Sequence, residues 1–301
     1  MTLSKREDFR NKGVLKLSNV IDMEKIVEVQ SSLWQEVKHK FSIDIDEPST
    51  WFANPSNPIG DARAKRLNGM GSIMRDLKAS GKLDVIEGEI QSAIDQVFGA
   101  QSWQPLDLWY SLLSFPGSES AWNVPHKSWH NDEPTVVGDA DPWSLFVFVF
   151  LDEVRTEMGA TSVVSGSHRR IASLANTLGT CHNEALIDAF KSVNSGLFES
   201  PKDVKLLPMD QVLEPLIQQD PWFQALLKED SADKRIQRFM KEGSTLDDIE
   251  QKVVTLTGVA GDIIVFDPRC LHTFSANVSG LPRQVLRIDF RRLMISATIN
   301  V

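Results

Sequence analysis

The C-terminal two-thirds of the chain reads as a series of short strands cut by turns, and this pattern restricts the fold more than any other feature. Strands are expected at residues 106–115, 144–151, 161–165, 253–256, 262–266, 271–275 and 284–290. Turn signals fall between most of them, including Phe115-Pro116-Gly117, Met158-Gly159, Ser165-Gly166 and Ala260-Gly261-Asp262, where Gly and Pro supply backbone angles that a strand does not use. Residues 144–151 are continuously apolar, as expected of a strand buried on both faces. Several short strands of this kind close into a sandwich or a barrel.

Ahead of them, residues 14–17 read as a short strand and residues 22–40 as a helix, with Asp22 as its N-cap and Ile26, Val29, Leu33 and Val37 as its apolar stripe. Residues 83–98 return to helical spacing through Leu83, Ile86, Ile90, Ile94 and Val97, with a stop at Gly99. Between these helices, residues 41–71 are rich in Pro, Asn, Asp, Ser and Gly around Trp51 and Phe52, a composition suited to a long ordered loop over a site. The strand series is interrupted from 171 to 250 by helical patterns at 183–193, 209–218, 221–228 and 232–240. Such an insertion is expected to ride outside the β core and to carry specificity. A chain of 301 residues fits one domain: helical support over 1–100, a barrel over 101–292, and the insertion or lid at 171–250.

Composition removes several classes. The net charge of -9 argues against a general grip on nucleic acid. No apolar run approaches the roughly 20 residues of a membrane span, and residues 1–12 are polar without the apolar core of a secretory signal, so a cytoplasmic protein is expected. Cys181 and Cys270 form no CxxC pair, which disfavours a disulfide framework or a cysteine zinc site.

The chemistry-bearing positions are His130, Asn131 and Asp132, then His272 and Arg283 far downstream. His130 and Asp132 are two apart, so in extended backbone both side chains point to one face and can reach one metal. His272 follows Gly261-Asp262 through an apolar strand and a second turn, a frame that aims it at a barrel mouth. Two imidazoles and a carboxylate on one side of Fe(II) form a facial triad with positions left open for co-substrate and oxygen. Eleven residues after His272, Arg283 opens a strand on which Arg283, Val285, Arg287 and Asp289 share a face. Its planar fork can take both oxygens of a carboxylate.

His130-x-Asp132, then Gly159-Ala160-Thr161-Ser162-Val163-Val164-Ser165-Gly166-Ser167-His168, then Gly261-Asp262 leading to His272, then Arg283, resembles the phytanoyl-CoA dioxygenase family of Fe(II)/2-oxoglutarate-dependent oxygenases. The resemblance covers most of residues 100–292. It implies a double-stranded β-helix, a cupin-like jelly-roll barrel with helices outside. It further implies His130, Asp132 and His272 as iron ligands, Arg283 as partner of the distal carboxylate of 2-oxoglutarate, and Asn131 as a second residue facing that co-substrate. The activity implied consumes O2, releases succinate and CO2, and hydroxylates a C–H bond of a small or medium organic metabolite. Because a halide needs the position that Asp132 fills, hydroxylation is expected over halogenation. Desaturation, epoxidation or ring formation stay open.

His168 is the rival second imidazole, yet eleven residues beyond it stands Gly179, which holds no carboxylate; a structural hydrogen-bonding role is expected for it. His126 and His130 are four apart, but Pro125 and the lack of a helical stripe oppose a helical zinc pair. His126, Trp129 and Arg287 are candidate substrate contacts, while His39 and His182 sit in polar segments and are expected to be solvated. Two other classes remain: a cupin-like metal hydrolase or isomerase, in which Arg283 has no required role, and a non-catalytic binding barrel.

Overall fold

The computed structural model describes residues 4–52, 67–69, 71–136, 141–178, 206–207 and 211–293. Helix α1 (Lys5–Lys12) starts in a Ser4–Glu7 capping box and stops at Gly13, which has φ 72°. Strand β1 (Val14–Leu17) follows. Helix α2 (Met23–Phe41) begins at the expected cap, where the Asp22 carboxylate accepts from the Glu24 N–H. Helix α3 (Ser72–Ala79) precedes α4 (Asp84–Phe98), which stops at Gly99.

The β core comprises β2 (Trp103–Ser111), β3 (Thr135–Val136), β4 (Ser144–Phe150) and β5 (Ser162–Ser165). After helix α5 (Ser167–Leu178) come β6 (Leu206–Leu207) and helices α6 (Leu213–Gln219), α7 (Pro221–Leu226) and α8 (Ala232–Arg235), the last running into a π-helical turn, Ile236–Glu242. Strands β7 (Ser244–Leu246), β8 (Ile249–Thr255), β9 (Ile263–Phe266), β10 (His272–Thr273) and β11 (Val285–Arg292) complete the described fold. Two antiparallel sheets, β1-β9-β4-β11-β2 and β10-β5-β8-β7, make the jelly roll, and β3-β6 forms a separate ribbon. No helix among the described residues is long and apolar enough to cross a membrane.

The unbroken apolar run of β4 has a direct explanation in its two faces. Leu145, Val147 and Val149 pack with Ile263, Val265, Leu286 and Ile288 against the buried stripes of α2 and α4. Phe146, Phe148 and Phe150 point the other way, into the barrel, with Ile264, Phe266 and Val285. The period-two rule therefore splits one strand between two cores. A third cluster lies outside the second sheet, where Trp222, Phe223 and Phe239 of the insertion pack with Val164, Val253 and Leu271. The described part of the insertion thus rides outside the barrel, as expected; the helix expected at 183–193 lies outside the described residues.

Several expectations need correction. The N-terminal region is more than helical support, because β1 pairs with β9 through Val14↔Phe266 to Leu17↔Ile263 and forms one edge of the large sheet. The strand expected at 106–115 starts earlier, at Trp103, and ends at Ser111. It runs through Pro105 because β2 is the opposite edge, with a register shift against β11 close by, and an edge strand tolerates a missing donor. Helix α3 follows directly on the loop-like composition and was not expected. The helix expected at 232–240 is α-helical only over its first turn.

Gly13 ties the N-terminal helix to the barrel. Its carbonyl accepts from Asp267 at 2.8 Å, and a Cβ at this position would collide with Cys270 Sγ and the His168 ring. Gly13→Ala combines a left-handed backbone penalty with overpacking. It is expected to lower stability by about 2–4 kcal/mol in urea denaturation.

Candidate metal centre

His130 and His272 come from distant segments joined by one β-bridge. The His130 N–H donates to the His272 carbonyl at 3.0 Å, and the His272 N–H donates to the His130 carbonyl at 2.8 Å. Two residues on, the Asp132 N–H donates to the Pro268 carbonyl at 2.9 Å. The imidazoles consequently lie side by side, with ring centroids 4.4 Å apart. Asp132 sits between them, Oδ1 3.5 Å from His130 Nε2 and Oδ2 3.5 Å from His272 Nε2. One donor atom from each of the three residues lies within 4.8 Å of the others.

The orientation of each ring suits a cation. His130 Nδ1 is 2.8 Å from the Ser128 carbonyl and His272 Nδ1 is 3.0 Å from the Cys270 carbonyl. A carbonyl only accepts, so each Nδ1 carries the proton and each Nε2 presents a lone pair to the shared point. Burial works against ionisation of Asp132, but the imidazoles of His272 and His130, whenever they are protonated in the metal-free protein, and the guanidinium of Arg287 hold its pKa below the usual carboxylate value. Exposure falls from 49% for the His130 side chain to 10% for His272, so the approach from solvent is on the His130 side. Two neutral imidazoles and one carboxylate are the donor set of a non-haem Fe(II) site.

Arg283 lies two residues ahead of β11, bridged to Ser114, and is 7% exposed. Its Nε donates to the Leu112 carbonyl at 3.1 Å, and a terminal N–H donates to the Gly159 carbonyl. Among the described residues no carboxylate pairs with it. Burial alone pushes its pKa down to about 10, which leaves it charged at neutral pH. A buried, uncompensated cation is costly unless an anion arrives.

Arg287 shares that barrel face. Its guanidinium carbon is 3.8 Å from the ring centroids of both Tyr110 and Phe146. Asp289 is ion-paired with it, Oδ1 lying 2.8 Å from Nε and Oδ2 accepting a hydrogen bond from a terminal nitrogen at 3.1 Å, while the remaining nitrogen stands 3.9 Å from Asp132 Oδ2. Arg283 and Arg287 thus differ: among the described residues one has no acid beside it, and the other is paired with Asp289. Tyr110 and Asp289 had no assigned role in the sequence, although alternation along β11 places Asp289 beside Arg287. Only the register Arg287↔Tyr110 brings in the chain's single tyrosine.

Asn131 points away from its two neighbours, is 4% exposed, and donates to the Glu133 carbonyl at 2.9 Å. Trp129 is packed in the insertion-side cluster with its Nε1 donating to the Pro125 carbonyl. His126 is half-buried, 4.0 Å from Glu229. His168 is structural, as expected: Nε2 is 2.9 Å from the Arg10 carbonyl and Nδ1 is 3.2 Å from Cys270 Sγ. His39 is exposed, and His182 lies outside the described residues. Phe274, two residues past His272, is 69% exposed, an exposure that the sequence alone did not single out.

A family model for phytanoyl-CoA dioxygenase matches residues 9–285. The chain belongs to the phytanoyl-CoA dioxygenase family. Among curated proteins none matches in sequence. Among solved structures, AviO1 from Streptomyces viridochromogenes Tue57 is 17% identical with a TM-score of 0.52, the match covering 97% of this chain and 96% of that one. EvdMO1 is 15% identical with a TM-score of 0.53 over 96% of this chain and 50% of that one, so this chain spans half its length. These likenesses show the shared fold, and the phytanoyl-CoA dioxygenase assignment rests on the family match.

In this family member the polar groups inside the barrel have a testable electrostatic consequence. Burial pushes Asp289 up to about 6 against the pull of Arg287. A folded pKa above the unfolded one means that the stabilising contribution is complete below about pH 4 and lost as pH rises through about 6. The metal-free protein is expected to lose roughly 1 kcal/mol between pH 5 and 7.5 on this account. Urea denaturation of Asp289→Asn at the two pH values should show a smaller difference than the parent.

Proposed function

We propose that the protein is an Fe(II)/2-oxoglutarate-dependent oxygenase that hydroxylates a C–H bond of a small or medium organic metabolite. The observation that carries this reading is Arg283, a buried cation with no acid beside it among the described residues, on the same barrel face as the triad's neighbour Arg287. The two arginines are four residues apart, roughly 13 Å of strand. Arg287 stands beside Asp132, and Arg283 is displaced toward the start of β11. A dicarboxylate that chelates a metal at one end needs its second anchor displaced in this manner.

Ferrous iron in such a site supplies oxygen activation coupled to decarboxylation of 2-oxoglutarate, with release of succinate and CO2. His130 and His272 would hold it through Nε2 and Asp132 through its carboxylate, and Arg283 would pair with the far carboxylate of the co-substrate. Phe146, Phe148, Ile264, Phe266 and Val285 make an apolar wall that excludes water from the reacting atoms. The side chain at 132 fills the position that a halide would need, which favours hydroxylation. The substrate would enter on the exposed His130 side, past His126 and Phe274.

Anaerobic addition of Fe(II) and 2-oxoglutarate should produce a visible metal-to-ligand charge-transfer band. Its absence from folded protein overturns the reading. Substrates are then found by screening metabolites for stimulated succinate formation.

A further inference from the structure

The three donors occupy two segments, 130–132 and the turn 267–272, and the turn holds both. Its Pro268 carbonyl accepts from the Asp132 N–H at 2.9 Å. The carbonyl of Cys270 accepts from His272 Nδ1 at 3.0 Å, and the turn ends in the His130–His272 bridge. Whatever fixes the turn therefore aims two of the donors directly and the third through the bridge.

A buried ion pair fixes it. Arg269 and Asp267 side chains are 2% and 1% exposed. Asp267 Oδ1 accepts from the Arg269 backbone N–H at 2.9 Å and from its Nε at 3.0 Å, and Oδ2 accepts from a terminal nitrogen at 2.8 Å. Asp267 also donates its N–H to Gly13, and its carbonyl closes the turn on the Cys270 N–H at 2.9 Å. The carboxyl of Glu133, buried and next in sequence to Asp132, lies in the field of the same guanidinium. A buried pair of this kind is weak as a source of stability, since well-packed apolar replacements of both partners are often neutral or stabilising. What such a pair does supply here is a single geometry for the turn.

We infer that Arg269, locked to Asp267, is a positioning residue of the metal centre, holding the turn whose carbonyls aim Asp132 and His272. The inference rests on reading the triad as a metal site, and a metal-only experiment separates the two. Co(II) is titrated anaerobically into metal-free protein without 2-oxoglutarate, with affinity followed by calorimetry and geometry by the d–d absorption bands. Failure of the parent protein to bind Co(II) would remove the site itself. If the parent binds, Arg269→Met is expected to weaken binding roughly 10- to 100-fold, the usual effect of losing a group that orients metal ligands, and to alter the d–d bands.

Because Arg269→Met strands a buried carboxylate, the paired variant Asp267→Leu/Arg269→Met is measured beside it. It removes both charges and is expected to fold while showing the same loss of affinity and altered bands. Arg269→Lys keeps the charge without the two-pronged grip and should fall between parent and Met variant. Parent-like affinity and bands in the folded paired variant, whatever its thermal stability, would overturn the positioning role.

Discussion

Asp132→Ala is expected to lower Fe(II) affinity by more than roughly 100-fold, beyond the loss typical of residues that only orient ligands. The carboxylate is the only anionic member of the triad, and its oxygens stand 3.5 Å from each imidazole Nε2. Removing it leaves two neutral donors, too few to hold a hard divalent ion against water. The fold should survive, because the backbone bond from residue 132 to the Pro268 carbonyl does not involve the side chain, which is 34% exposed. Anaerobic calorimetry with Fe(II), beside a thermal melt, checks both halves. Retained affinity in Asp132→Ala would mean that the metal binds elsewhere.

Arg283→Leu is expected to raise the Kd for 2-oxoglutarate roughly 30- to 4,000-fold, the range for removing one partner of a buried, hydrogen-bonded charge pair. Metal affinity should stay near that of the parent, since the Arg283 side chain donates to the carbonyls of Leu112 and Gly159 and not to the triad. The stability of the metal-free protein should change modestly. Two carbonyls lose a donor, at about 1 kcal/mol each, while the burial of an uncompensated charge is relieved. Titration of the charge-transfer band with 2-oxoglutarate gives the Kd directly, and an unchanged value would reject the assigned role.

Legibility in the sequence differed by the range of the interaction. Local devices could be read: the Asp22 cap, the stop at Gly99, and the alternation along β11 that places Arg283, Arg287 and Asp289 on one face. The uninterrupted apolar run of β4 also announced its burial on both faces, though the identity of the two cores needed the sheet order. Cross-strand partners were hidden. Tyr110 meets Arg287 only through the β2–β11 register, and the ends of β2 depend on β11 rather than on its own residues. Asn131 and Trp129 flank His130 in sequence, and both are buried. The Arg269–Asp267 pair stands in plain view in the sequence, yet its bearing on the triad passes through backbone carbonyls that no side-chain pattern reports.

The pairing of Val14–Leu17 with Ile263–Phe266 has a consequence for biogenesis. Strand β1 cannot find its partner until every strand from β2 to β9 has been made, so this edge of the large sheet closes late. Until then the amide edge destined for that partner is open to other molecules. Products lacking the first 17 residues would keep every metal donor and still be prone to self-association, through the bare edge left on Ile263–Phe266.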